Sequence, residues 1–169
     1  MYYTGIGSRE TPCTIAAKMS ELAYALARRG YTLRSGGAQG ADTAFEEGCD
    51  IASGKKEIYL PWSRFNGSES MYTAPKDEAF VIAAKYHPAW ERCSNAAKKL
   101  HARNVHQVLG WDLDSPSMFV VCWTPTNKGG TLQATRIATA YGIPVYNMYT
   151  QGSFSLSSLE DHTNMGASG

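Results

Sequence analysis

The stretch Ser35-Gly36-Gly37-Ala38-Gln39-Gly40-Ala41-Asp42 decides the fold of this chain. It follows a short strand predicted over residues 31–34 and precedes a helix predicted over residues 42–51. Glycine lets the backbone approach a ligand closely, because no Cβ stands in the way. The N-terminus of the following helix adds unpaired N–H groups and a partial positive charge. This strand–turn–helix unit therefore predicts a site for an anionic group such as a phosphate.

Two further glycine-rich turns have the same placement. Gly5-Ile6-Gly7-Ser8-Arg9 ends a strand predicted over residues 2–6, and Lys128-Gly129-Gly130-Thr131 opens a helix predicted over residues 130–141. Parallel strands present their carboxyl ends at one edge of a sheet, where ligands bind, so we expect the three turns to lie together. None of them matches the Walker A loop or the GxGxxG fingerprint. The usual binding modes of ATP and NAD are therefore not favoured.

The other elements predict an α/β architecture. Ile15, Met19, Leu22 and Leu26 have helical spacing within a helix predicted over residues 14–29. Residues 117–123 form a nearly continuous apolar run, which is typical of a central parallel strand buried on both faces. We further predict strands at 57–61 and 144–148, a long loop at 62–75, and helices at 76–86 and 88–109. This alternation predicts one Rossmann-like, three-layer α/β/α domain with a mainly parallel sheet over residues 1–150, and a weakly ordered tail over residues 151–169.

Composition limits the classes of function. The formal net charge of +1 argues against a strongly basic nucleic-acid binder, although a local basic stripe stays open. No apolar run approaches the roughly 18 residues of a membrane helix, and the N-terminus lacks the features of a secretory signal. We therefore expect a cytoplasmic protein without membrane contact. The four scattered cysteines form no CxxC and no Cys/His pair at metal spacing, so we expect reduced thiols, no metal and no cofactor.

Two arginines are the cations that we expect nearest the anion. Arg9 follows the first strand, with an ordinary surface charge as its alternative role. Arg103 and Asn104 lie in the helix before the central strand and could face the edge of the sheet. Their alternative role is to pair with Asp112 or Asp114 and cap a turn.

Asp42 and Glu46 are the weak catalytic candidates. Asp42 begins a helix, where a carboxylate stabilises the positive helix end without any further role. Its functional role would be to bind a ribose hydroxyl or to act as a general base. Glu46 lies one turn later and could act on the same face. Trp62, in the loop after the third strand, is a candidate for stacking on a base.

The predicted ligand-binding residues come from the three turns and from the segments expected beside them. The full set is Gly7, Ser8, Arg9, Ser35, Gly36, Gly37, Ala38, Gly40, Ala41, Asp42, Arg103, Asn104, Thr124, Gly129, Gly130 and Thr131.

These motifs resemble the DprA/Smf and LOG proteins, grouped as the SLOG superfamily, and among them the short DprA-like proteins of bacteriophages. The turn at 35–42 is similar to the SGGAxGID turn of the DprA side. Ala102-Arg103-Asn104 resembles ARNRxIAxLS, and residues 129–145 resemble SGxLxTAxxAxxxGRxV. The resemblance covers residues 2–148. Val105 stands where the family has a second arginine, which weakens a phosphate-contacting row.

The resemblance implies three functions. The first is the binding of a nucleoside phosphate or nucleotide-derived ligand, and the second is single-stranded DNA binding in a recombination-mediator role, with Lys98, Lys99, Arg103 and Lys128 as candidates. The third is hydrolysis of the N-glycosidic bond of nucleoside 5′-monophosphates, as in the LOG branch. That branch has PGGxGTxxE, whereas Gln133 and its neighbours offer no carboxylate here. We therefore expect binding rather than catalysis, with nucleotide first and DNA second. The resemblance also implies a homodimer.

Overall fold

The computed structural model describes residues 1–125, 129–152 and 156–159. Its first half follows the β-α-β-α-β order expected from the sequence. The elements are β1 (Tyr2–Gly7), α1 (Cys13–Arg28), β2 (Thr32–Ser35), α2 (Ala41–Ile51) and β3 (Lys56–Ile58). A long segment then follows β3, and it contains one 3₁₀ turn, at Phe65–Gly67.

The second half contributes three longer helices and two strands. These are α3 (Asp77–Tyr86), α4 (Asn95–Leu109), β4 (Val120–Trp123), α5 (Gly130–Ala140) and β5 (Val145–Asn147), followed by the short α6 (Met148–Gln151). Among the described residues, no helix has both the length and the apolar character needed to cross a membrane.

All five strands pair in parallel, in the order β3-β2-β1-β4-β5. The chain builds outward from β1 in one direction through β2 and β3, and in the other through β4 and β5. The order therefore reverses between β1 and β4, and ligands of open parallel sheets bind beside such a point. This sheet confirms the predicted Rossmann-like fold.

Helices cover both faces of the sheet. Tyr3 and Phe45 belong to a buried cluster with residues of α1 on one face, and Ile6 and Ile137 belong to a second cluster with α3 and α4 on the other. Within β4, Val120 is buried in the second cluster and Val121 in the first. Three layers result, and β4 is the strand buried on both faces that its apolar run predicts.

The predicted start of the helix before the central strand needs correction. The helix predicted over 88–109 begins only at Asn95, because the Ser94 hydroxyl accepts a hydrogen bond from the Ala97 N–H (3.1 Å) and caps it there. The residues before it form a 3₁₀ turn at Trp90–Arg92. In the tail, most of which lies outside the described residues, Leu159 is fully buried in the cluster of Tyr3 and Phe45. The tail therefore contributes to the core at this residue.

Candidate functional site

A cavity of about 570 Å³ opens at the carboxyl edge of the sheet, beside the point between β1 and β4 where the strand order reverses. Segments that follow β1, β2 and β4 form its walls together with one face of α4. The lining residues are Ile6, Gly7, Ser8, Arg9, Glu10, Ala38, Asp42, Leu100, Arg103, Asn104, Gln107, Thr124, Pro125, Gly129, Gly130 and Thr131. The three glycine turns therefore lie together, as their placement after parallel strands predicts.

The first and second turns are in direct contact. A Cβ on Gly7 would lie 2.5 Å from the Cβ of Ala41, and a Cβ on Gly40 would lie 2.8 Å from the carbonyl oxygens of Ser8 and Arg9. Gly40 also has a φ of +82°, which L-residues with side chains rarely adopt. These glycines allow the backbone after β1 to pack against the N-terminus of α2, and this contact fixes one wall of the cavity.

Arg103 connects the second turn to α4. Its side chain is only 6% exposed, and its Nη1 donates to the carbonyls of Gly36 and Tyr59 (3.3 Å to Tyr59). Its Nε donates to Oδ1 of Asn104 at 2.8 Å, and Nδ2 of Asn104 donates to the carbonyl of Gly130 at 3.1 Å. The adjacent pair therefore joins the second turn to the third.

The alternative role of this pair, a contact with Asp112 or Asp114, is wrong. The carboxylate of Asp112 instead accepts hydrogen bonds from the Asp114 N–H (3.0 Å) and the Ser115 hydroxyl (2.8 Å). Arg103 and Asn104 face the sheet edge, as the functional interpretation requires.

Asp42 lines the cavity with a buried carboxyl group. The residue is 3% exposed, and its Oδ2 accepts a hydrogen bond from the Ala38 N–H at 3.2 Å. Its Oδ1 is buried and makes no hydrogen bond of normal geometry with the described residues, although the Ser35 side chain lowers the pKa of the carboxyl. Burial raises the pKa of Asp42 to about 6, and the charge of Arg103 opposes that rise. Asp42 can therefore accept a proton or a hydroxyl hydrogen bond near neutral pH.

The two arginines occupy different depths. The pKa of Arg103 is lowered to about 10, chiefly by burial; the charge of Asp42 opposes this shift, and that of Arg9 adds to it. Arg103 thus stays charged at neutral pH at the base of the cavity. Arg9 is exposed at the rim beside Glu10. Arg9 therefore lies nearer to solvent than Arg103 and Asp42.

The third turn presents an open helix N-terminus. Gly129 precedes the first turn of α5 with a φ of +102°, and among the described residues no side chain caps this end of the helix. Thr124, which directly follows β4, is held in place by Asn147. Oδ1 of Asn147 accepts a hydrogen bond from the Thr124 N–H (3.1 Å), and Nδ2 donates one to the Thr124 carbonyl (2.9 Å). Unpaired N–H groups at such an end favour an anion. Lys128 lies outside the described residues.

The predicted site residues fall into two groups. The lining includes Gly7, Ser8, Arg9, Ala38, Asp42, Arg103, Asn104, Thr124, Gly129, Gly130 and Thr131. The other predicted residues belong to the second turn but are not in the lining, and they pack behind the residues that face the cavity. They are Ser35, Gly36, Gly37, Gly40 and Ala41. For example, the Ser35 hydroxyl donates to the Gly5 carbonyl at 2.6 Å.

Three further candidates lie away from the cavity. The Glu46 carboxylate accepts a hydrogen bond from Lys56 Nζ at 2.9 Å and is not in the lining. Trp62 packs edge-to-face on Phe65, with ring centroids 5.3 Å apart. Gln133 is buried, and its Nε2 donates to the Ala83 carbonyl at 3.3 Å between α5 and α3. None of these side chains lines the cavity with Asp42, and Glu46 acts on Asp42 only through its charge, which raises the pKa of that carboxyl.

Sequence reasoning missed five lining residues: Ile6, Glu10, Leu100, Gln107 and Pro125. A signal for Gln107 was present, since it lies four residues after Arg103 and therefore on the same helical face. Leu100 precedes Arg103 by three residues and follows from the same rule. Pro125 lies next to Thr124, and a wider window after the central strand would have included it.

Comparisons with known proteins support the fold. No family model matches the chain, and no curated protein matches its sequence. Among solved structures, DNA processing protein A from Helicobacter pylori, described as binding single-stranded DNA, is 18% identical with a TM-score of 0.58, over 99% of this chain and 80% of its own. The Moco carrier protein from Chlamydomonas rheinhardtii is 16% identical with a TM-score of 0.54, over 99% of this chain and 84% of its own. At these identities the likeness shows a shared Rossmann-like fold.

Proposed function

We propose that this domain binds a nucleotide or a nucleotide-derived small molecule in the cavity between β1 and β4. The observation that carries the proposal is the buried Oδ1 of Asp42 in a cavity bordered by the N-termini of α2 and α5. One end of the cavity thus suits an anion, and one buried oxygen suits a hydroxyl donor. Nucleotides carry both groups, as phosphate and ribose.

Each part of the ligand has a suitable partner in the lining. Backbone N–H groups at Gly130 and Thr131, with Arg9 at the rim, would bind the phosphate. Asp42 would accept a hydrogen bond from a ribose hydroxyl. Leu100 and Pro125 offer apolar surface to the rest of the molecule. The cavity volume of about 570 Å³ falls within the range of about 300–1,000 Å³ that is common for small-molecule sites.

The two structural neighbours support binding in different ways. The name of the Moco carrier protein describes a small-molecule carrier, and this is consistent with an enclosed ligand. The motif resemblance at residues 35–42, 102–104 and 129–145 supports membership of the DprA/LOG (SLOG) superfamily, near its short DprA-like members. Membership is part of the proposal, because the structural likeness extends only to the fold.

Single-stranded DNA binding is the second candidate. DNA processing protein A, which is described as binding single-stranded DNA, resembles nearly the whole of this chain. Lys98 lies 5.5 Å from the ring centroid of Trp90 and could offer a cation and an aromatic face to a strand. Arg103, however, is buried and donates to protein carbonyls, so it does not extend such a surface. We therefore rank DNA below a nucleotide.

Hydrolysis of an N-glycosidic bond ranks third. Gln133 replaces the glutamate that the LOG motif has, and its amide is used between α5 and α3. Asp42 is the remaining carboxylate with a perturbed pKa in the lining. Incubation with the four nucleoside monophosphates, followed by chromatography, should release no free base. Release of any base would place catalysis above binding.

The variant Arg9→Ala tests the first candidate. We expect it to weaken the tightest ligand of a panel of nucleoside mono-, di- and triphosphates about tenfold, because it removes a charge-assisted hydrogen bond at the rim. The measurement is isothermal titration calorimetry. Lys18→Ala is the matched control, since Lys18 is exposed on α1 and its loss changes the net charge equally.

The same titration separates nucleotide from DNA. Oligonucleotide affinity should fall steeply with salt if many phosphates are contacted, whereas a single nucleotide should respond weakly. Equal loss of affinity in Arg9→Ala and Lys18→Ala would contradict binding at this cavity. No binding of any panel member, together with tight salt-dependent binding of an oligonucleotide, would reverse the ranking.

A further inference from the structure

Three metal-ligating side chains meet at the N-terminal part of α4, outside the lining of the cavity. His87, Cys93 and His101 each offer a ligand atom, and these atoms lie within 4.8 Å of one another. Nε2 of His87 and Sγ of Cys93 are 3.7 Å apart. The rings of His87 and His101 have centroids 4.6 Å apart. The cluster combines two imidazoles and one thiol, and both are ligand types that zinc uses.

The separation of these atoms suits a tetrahedral metal ion. With Zn–S and Zn–N bonds of about 2.3 and 2.0 Å at the tetrahedral angle, the sulfur and nitrogen ligands lie about 3.5 Å apart. The sulfur and nitrogen of Cys93 and His87 are already within a few tenths of an ångström of that spacing. The spacing of these two atoms therefore suits a shared metal ion.

His101 supplies an independent observation. Its Nδ1 is buried and has no hydrogen-bond partner among the described residues. Folded proteins rarely leave such a nitrogen without a partner, so we expect it to bind a ligand. Burial, with the charges of His87 and Arg103, lowers the pKa of His101 to about 4. The ring is therefore neutral at pH 7 and carries a lone pair.

Hydrogen bonds to one loop residue orient the other two ligands. The Ala89 N–H donates to Nδ1 of His87 at 3.0 Å, and the Cys93 thiol donates to the Ala89 carbonyl at 3.6 Å. This arrangement turns Nε2 of His87 toward the sulfur. On metal binding the thiol proton is released to solvent, the His87 ring proton moves to Nδ1, and both Ala89 contacts are exchanged for bonds to the metal.

We propose that His87, Cys93 and His101 form a binding site for a divalent transition metal of the zinc type. Three protein ligands leave one tetrahedral position open, which water or an external ligand would fill. The ring of Trp90 lies 6.2 Å from that of His87 and 6.4 Å from that of His101, and it shields one side of the site.

The sequence spacing concealed this site. His87 directly follows α3, Cys93 follows the 3₁₀ turn at Trp90–Arg92, and His101 lies in the second turn of α4. The prediction of a continuous helix over 88–109 places Cys93 and His101 on one helix and His87 just before it. The actual break before Asn95 folds the chain back and brings Cys93 and His87 onto His101. The expectation of no metal site rested on the absence of short Cys/His spacings.

Cobalt(II) titration of the chelator-treated, reduced full chain tests the proposal. We expect one Co²⁺ per chain, with a thiolate-to-cobalt charge-transfer band and the visible bands of tetrahedral cobalt. Zinc should displace the cobalt and abolish both. Cys93→Ser should eliminate the charge-transfer band, and His101→Gln should weaken Co²⁺ binding at least tenfold. Cys13→Ser is the matched control, because Cys13 is an exposed thiol outside the cluster.

Absence of a charge-transfer band, or its retention in Cys93→Ser, would overturn the proposal. Loss of the band in Cys13→Ser to the same extent would do so too. Far-UV circular dichroism checks that each variant is folded, and His87→Gln replaces any variant that is not. Nucleotide binding does not enter this readout, so the proposal stands or falls independently of the proposed function.

Discussion

The second and third glycine turns have similar sequences, but the second is closely packed and the third is open. In the second turn, a Cβ on Gly36 would lie 2.1 Å from Nε2 of Gln107, and a Cβ on Gly37 would lie 2.7 Å from Leu60. In the third turn, a Cβ on Gly129 would meet nothing within 4 Å among the described residues, and one on Gly130 would meet only Nδ2 of Asn104, at 3.2 Å. Glycine serves close internal packing in the second turn, whereas the third turn is open toward the cavity among the described residues.

This difference shows that a glycine-rich turn after a strand does not by itself identify a binding residue. Gly36 is required because the buried guanidinium of Arg103 lies against its backbone. Gly130 is in contact with the cavity and borders a helix end without a side-chain cap. The two turns therefore differ in the atoms that a glycine Cβ would meet: buried side chains in the second turn, and the cavity in the third.

Gly36→Ala should have the largest effect. The added methyl would overlap Arg103 and Gln107, and the buried Arg103–carbonyl contacts would break. We expect the free energy of unfolding to fall by about 3 kcal/mol, as for overpacked cores. Chemical denaturation measures this loss. A change below about 0.5 kcal/mol would contradict the account of the second turn as internal packing.

The free energy of unfolding should depend on pH through Asp42, the buried carboxyl group that ends the second turn. Asp42 has a pKa of about 6 in the folded protein and about 3.9 when unfolded. The folded state therefore binds more protons between these values, and its stability falls as pH rises from about 4 to 6. We expect this residue to contribute a loss of about 2 to 3 kcal/mol over that window.

Asp42→Asn is the matched variant, because an amide of the same shape does not titrate. Relative to the parent protein, its free energy of unfolding should rise between pH 4 and 7 by the same 2 to 3 kcal/mol. Other carboxyl groups are common to both proteins and cancel. Parallel stability profiles for the two proteins would contradict a raised pKa at Asp42.

Gly130→Ala should have the smallest effect on stability and a specific effect on binding. Its φ is not in the left-handed region, and the added methyl meets only the flexible end of Asn104. We expect unfolding to change by less than about 1 kcal/mol. Affinity for the tightest nucleotide should fall about tenfold, because the methyl narrows the approach to the helix end. Calorimetry compares it with Gly36→Ala, and unchanged affinity would remove the third turn from the proposed site.

The fold was predictable because its signals are local. Helical spacing in residues 14–29, apolar residues over 117–123 and a glycine turn after three strands each depend on neighbours within a few positions. They predicted the element order and the parallel sheet, and both are confirmed. Helix boundaries were less accurate, as at Ser94, where a capping serine begins α4 seven residues after His87.

The sequence alone thus determined the Rossmann-like order of elements and the sheet edge at which the turn 35–42 and Arg103 would meet. Only the tertiary structure decided which glycines of that turn support the protein and which partners Arg103 takes. It also decided that Asp42 lines the cavity with a buried carboxyl group and that His87, Cys93 and His101 come together. The physical reason is the distance along the chain over which each feature is determined. Patterns among neighbouring residues define the elements, whereas contacts between distant residues depend on how α4 packs against the sheet and α3.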